Sequence, residues 1–229
     1  MKRRDTKKAI VKEATALFYN YGFRDTSLEM IANELDINKQ LITYHFGSKE
    51  MLGKYVFEQI NQDHINVISE ACAALSVKSI LYANSVYVLW LPRYLKRDLN
   101  ARRFYEEMLL VSDIDINVIK SNYIANSMYR TDDADRWAVM PPAFTDYLVS
   151  SLSARWLLHY YCKGDLNISE DEFEKKYYFL NCDPFFTDHK RLERVYQGAK
   201  AVFNNLLIEE KQNFEIVVKT KNSPRGTRR

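Results

Sequence analysis

Lys39, Gln40, Leu41, Thr43, Tyr44 and His45 gather groups that suit the edges and phosphates of a DNA duplex. Glutamine makes a bidentate contact to adenine, and Thr43 or Leu41 suits a thymine methyl. Lys39 and Tyr44 suit phosphates, and His45 fits the same surface. Upstream, Thr26 and Ser27 offer hydroxyls and helix-start amides to a further phosphate. Lys49 sits just past the cluster. Residues 1–12 hold six bases and one acid. Arg3 and Arg4, with Lys7 and Lys8, therefore suit an N-terminal arm on the backbone or in the minor groove.

Other chemistries find little material. There is no GxSxG, Walker A or GxGxxG motif, and six glycines leave little for a phosphate-cradling loop. No enzyme is expected. Cys72, Cys162 and Cys182 are widely spaced, without a CxxC, and His45, His64, His159 and His189 form no HExxH. The acids at 132, 133 and 135, like Asp113 and Asp115, read as solvated loop. Neither a metal site nor a cofactor is expected. The longest apolar run, Val86 to Leu91, falls far short of the ~20 residues of a membrane helix. The composition is that of a soluble, cytoplasmic, all-α protein, poor in the glycine and proline that a β-sandwich needs at its turns. Charge is uneven: a net +2 over residues 1–60, −4 over 61–218 and +5 over 219–229.

The cluster needs elements to present it. Ile10, Ala14, Leu17, Phe18 and Tyr21 recur at helical spacing, and Gly22 suits a positive-φ stop. Thr26 to Glu29 fits a capping box for a second helix over about 27–34. Asp36 tolerates the left-handed turn, and Asn38 caps a short third helix over 39–45, with Ile42 and Phe46 inward. Tyr19, Tyr21 and Phe23 are expected to pack helix 1 on this reader. Gly47 breaks helix 3 and Ser48 caps a fourth helix reaching about Leu75. These are helix-turn-helix proportions: a short, polar-faced helix held by small apolar contacts to the one before it. Further helices are expected at about 78–97 (kinked or split by Pro92), 99–111, 115–130, 142–163, 170–181 and 188–211. Pro141 and Pro142 suit a helix start, and Thr187 or Asp188 caps the last helix.

Residues 6–54 resemble the DNA-binding domain of TetR-family transcriptional regulators. The resemblance is carried by Ile10 to Phe18, Tyr21-Gly22-Phe23, Thr26-Ser27, Ile31-Ala32, Leu35 to Lys39, Ile42 and Tyr44 to Leu52. Asp36 replaces a frequent glycine, and Thr43 a frequent tyrosine that grips phosphate, a task open to Tyr44. The resemblance implies a ligand-responsive regulator, most often a repressor, bound as a homodimer to a palindromic double-stranded operator. Helix 4 would link reader to body. Helices at about 142–163 and 188–211 would pair with their copies. The domains read as 1–54, DNA-binding; 55–211, effector-binding and dimerisation; and 212–229, a flexible tail.

The body is rich in aromatics, which give a cavity apolar area and polar handles. Tyr87, Trp90, Phe104, Tyr105, Tyr123, Trp156 and His159 are expected to hold a small, largely apolar or aromatic ligand. The alternative is a protein partner, such as a nucleoid or division factor, with a filled body.

Overall fold

The computed structural model describes residues 3–111, 144–186 and 188–221. The helix expected at 115–130, Tyr123, the acids at 113, 115 and 132–135, Pro141, Pro142 and Thr187 lie outside them. Among the described residues the fold is helical apart from one small hairpin.

The amphipathic stripe makes α1 (Arg3–Tyr21), burying Ile10, Ala14, Leu17 and Phe18. Tyr21, at the end of the stripe, instead faces solvent. Tyr19 is the buried one, and it faces the body: its hydroxyl donates to Asp98 at 2.9 Å, and its ring meets Phe214 edge-on. Phe23 packs on Phe18. Gly22 adopts φ +87°, and a Cβ there would come within 2.9 Å of Arg103 and Glu107. Next come α2 (Leu28–Glu34), α3 (Lys39–Phe46) and the long α4 (Lys49–Ala74).

The body continues with α5 (Ile80–Arg97) and α6 (Leu99–Val111). Pro92 lies inside α5 without splitting it. Asp98 caps α6, accepting from the amides of Asn100 and Ala101 at 3.0 and 2.9 Å. Then follow α7 (Phe144–Lys163), ended by Gly164 at φ +80°, and α8 (Glu170–Cys182), capped by Ser169. A 3-10 turn over Asp183–Phe185 leads to α9 (His189–Asn204), capped by Asp188. Glu174, almost buried on α8, ties three helices together. It accepts from Arg93 of α5 at 2.7 Å and from Tyr196 of α9 at 3.1 Å, and Lys200 of α9 sits 2.9 Å away.

The C-terminal segment departs from the sequence reading. The last helix stops at Asn204 rather than running to 211. β1 (Leu206–Glu210) and β2 (Ile216–Thr220) then pair antiparallel, from Leu206 opposite Thr220 to Glu210 opposite Ile216. The cause is local. Asn204 and Asn205 end the helix, and β-branched Ile208, Ile216, Val217 and Val218 prefer the pleated form. Far from being a loose tail, residues 212–220 include buried Phe214 and Ile216. Phe214 fits between Tyr19 of α1 and Phe104 of α6, with centroids 5.1 and 5.0 Å away. His64 of α4 sits 2.6 Å from its carbonyl oxygen through Nε2.

Candidate nucleic-acid interface

Helices α2 and α3 meet across Ile31, Ala32 and Ile42, all buried. Asp36 turns the chain at φ +50°, and the amide of Ile37 donates to the Ala32 carbonyl at 3.0 Å. Asn38 caps α3 by accepting from the Gln40 amide at 2.9 Å. Gly47, at φ +82°, ends α3, and Ser48 caps α4 through the Met51 amide at 3.2 Å. The result is a short helix with one apolar edge fixed and its opposite face in water. Lys39, Gln40, Thr43 and Tyr44 are exposed there, and Leu41 and His45 half-buried. This face is the shape a major groove accepts.

Not every expected contact residue is on that face. Ser27, not Thr26, caps α2, accepting from the Met30 amide at 3.1 Å; Met30 stands where Glu29 was expected to close the box. Thr26 is buried, its hydroxyl donating to the Gly22 carbonyl at 2.7 Å, so its side chain holds the α1–α2 turn and offers nothing to a phosphate. Lys49 is likewise turned inward. Its ammonium donates to the carbonyls of Phe23, Arg24 and Thr26 at 3.0, 3.1 and 2.9 Å and lies 4.5 Å from the Phe23 ring centroid. Both residue types suit anions in sequence; here each meets backbone carbonyls first. Of Arg3 and Arg4, the structure places the backbone in the first turn of α1.

The sequence reading missed two features. Lys39 pairs with Glu29 of α2, whose carboxyl is held below its usual range chiefly by that hydrogen bond. In the sequence Glu29 reads as part of the cap, and only the packing of α2 on α3 reveals the pair. The second feature is a clamp from the body. Arg103 of α6 donates to the carbonyls of Tyr19 and Asn20 at 3.2 and 2.7 Å. Glu107 accepts from the amides of Phe23 and Arg24 at 2.5 and 3.1 Å. The end of α1 is therefore held by the body as well as by the reader, and nothing in the spacing announces it.

Residues 10–56 match the family described as bacterial regulatory proteins, tetR family. These residues therefore resemble a TetR-type DNA-binding head. A curated relative, the Probable HTH-type transcriptional regulator YttP of Bacillus subtilis (strain 168), is 27% identical over 125 residues. That match covers 54% of this chain and spans only 60% of the relative's length. A crystal structure of a candidate TetR-family transcription regulator from Shewanella sp. PV-4 aligns with 86% of this chain and 95% of its own, at 15% identity and TM-score 0.43. Native NalD, the secondary repressor of the MexAB-OprM multidrug efflux pump in Pseudomonas aeruginosa, aligns with 87% and 97%, at 17% identity and TM-score 0.36.

Behind this TetR-type head, the described residues expected to hold a ligand pack against one another and against neighbouring side chains. Phe104 is fully buried, stacked on Phe18 and tilted against Phe57 and Phe214. Tyr87 and Tyr105 both donate to the Asn61 amide oxygen, Tyr105 at 2.8 Å. Trp90 stacks on Tyr94, its indole N–H donating to Glu210 of the hairpin at 3.1 Å. Trp156 lies on the outer side of α7, about half exposed beside Tyr160. His159 faces Glu106 at 3.2 Å, beside a crevice of about 20 Å³ that Tyr105 and Arg102 also line. A space of that size admits one water molecule. Tyr123 lies outside the described residues.

Proposed function

We propose that this chain is a transcriptional regulator that reads a palindromic operator as a homodimer, one α3 in each of two successive major grooves. The observation that supports it most is the exposed Lys39–Gln40–Thr43–Tyr44 face, held by buried Ile42 at the end of a capped turn. Lys39 positions on phosphate, Gln40 discriminates bases, and Thr43 and Leu41 add contacts to thymine methyls. Ser27 joins them at the start of α2. The action is repression, relieved when an effector on the body shifts α4 and the spacing of the two heads. An effector works only through its different affinity for the two states.

Two effectors suit the body. A small, largely apolar or aromatic ligand is the first, suited to the aromatic composition of the body. A protein partner is the second, and the close packing of Trp90, Phe104 and Tyr105 favours it. For the dimer, the surfaces of the two helices expected to pair differ. α7 exposes Val149, Trp156 and Tyr160 at helical spacing, whereas α9 exposes Lys190, Arg194 and Gln197. The apolar α7 face is the better seam.

Selection of bound duplexes from a random library tests the reading. Enrichment of an inverted repeat, with half-site centres one turn or a whole number of turns apart, supports it. Retention of every duplex alike would count against sequence reading by α3.

A further inference from the structure

Beside the reading helix lies an open trough of about 870 Å³ between α1 and α4. Lys7, Lys8 and Lys12 of α1 form one wall, Tyr55 of α4 the other, and Tyr44 and His45 of α3 close one end. Lys7 is held as part of the wall, its ammonium 4.7 Å from the Tyr55 ring centroid and 5.3 Å from that of Phe46. Lys8 and Lys12 are exposed, and among the described residues no carboxylate pairs with either. They stand one helical turn apart, about 6 Å along the axis, comparable to the separation of neighbouring phosphates on one strand. Among the described residues the single acid in the lining is Asp63, at the α4 wall, which takes a hydrogen bond from Gln59 at 2.9 Å.

From this geometry we infer that the operator's sugar-phosphate backbone runs off α3 into the α1–α4 trough, where Lys8 and Lys12 each neutralise a phosphate and Tyr55 lies against the sugars. The inference rests on the DNA-reading function proposed above and extends the footprint beyond the helix-turn-helix. Three features favour a duplex backbone over a free nucleotide. Tyr44 and His45 belong both to the reading helix and to the trough, so DNA seated on one reaches the other. The trough is open to solvent rather than enclosed. Its cations are repeated along one helix, whereas a single phosphate group calls for convergent ones.

Neutralised phosphates release counterions, so each contributes about 0.9 to the slope of log K against log salt on duplex DNA. The test measures affinity from low to moderate KCl for the selected operator and for an unrelated duplex, with wild type and the Lys8→Gln/Lys12→Gln variant. Both positions are surface sites on a helix, and an unchanged melting temperature confirms folding. The slope should fall by about 1.8 on both duplexes alike, with base preference intact. An unchanged slope in a folded variant overturns the inference while leaving the reading function standing. Failure of the wild type to bind any duplex removes that function itself, and the inference with it. ATP titrated by calorimetry without DNA separates the two phosphate sources. Binding lost in the double variant, with the duplex slope unaltered, assigns the trough to a free nucleotide and overturns the backbone path.

Discussion

Glu29 stands where it restrains the reading face. Its carboxylate holds Lys39, a side chain otherwise open to a phosphate, and both groups are more than half exposed or nearly so. Exposed pairs contribute little to stability, so Glu29→Gln should leave melting unchanged. It should tighten binding to any duplex by a few-fold at low salt, an advantage that shrinks as salt rises. Filter binding at two KCl concentrations checks this; equal affinities would mean that Lys39 is not a phosphate contact. The reading face itself was legible from sequence, because Gln40, Thr43 and Tyr44 lie at fixed offsets from Asn38 and Gly47. Thr26 and Lys49 were not. A hydroxyl or ammonium that suits phosphate suits a backbone carbonyl equally, and only the fold of the α1–α2 turn shows which partner is present.

Head and body are joined through more than α4. Arg103 and Glu107 grip the end of α1, and the hairpin tip inserts Phe214 between α1 and α6, with His64 of α4 at its carbonyl. The sequence offered the helices of this arrangement through their periodicity and caps. It hid the hairpin, because Leu206 to Lys211 continues an apolar–polar pattern that a short stretch of helix also satisfies. His64 makes the junction acid-sensitive. Burial depresses its pKa below the usual 6.5, the Phe214 carbonyl only partly opposing this. The unfolded chain therefore takes up a proton that the folded chain resists. The resulting stability is complete above about pH 6.5 and is lost as pH falls through that value toward the folded pKa. Urea unfolding at pH 7.5 and 5.5 should show a smaller drop in His64→Gln than in wild type. Identical drops would place the acid sensitivity elsewhere.

Across the whole molecule, charge alternates along the chain, at +2 over residues 1–60, −4 over 61–218 and +5 over 219–229. If α7 forms the seam, Trp156→Glu places a charge in an apolar interface and should convert dimers to monomers in sedimentation experiments, while Arg194→Glu on α9 leaves them intact. The reverse pattern would move the seam to α9. The aromatic richness of the body is legible in the sequence as composition. Trp90, Phe104 and Tyr105 are core or hairpin contacts, and spacing alone does not distinguish a filled interior from a lined cavity. In the proposed function, α3 reads bases through Gln40. The most direct measurement compares the affinities of wild type and Gln40→Ala for the selected operator and for a set of duplexes with each base pair changed in turn. The account predicts loss of about 1–3 kcal/mol of discrimination at one symmetry-related pair of positions, with preferences elsewhere retained. A uniform weakening at every position, or none, would contradict it.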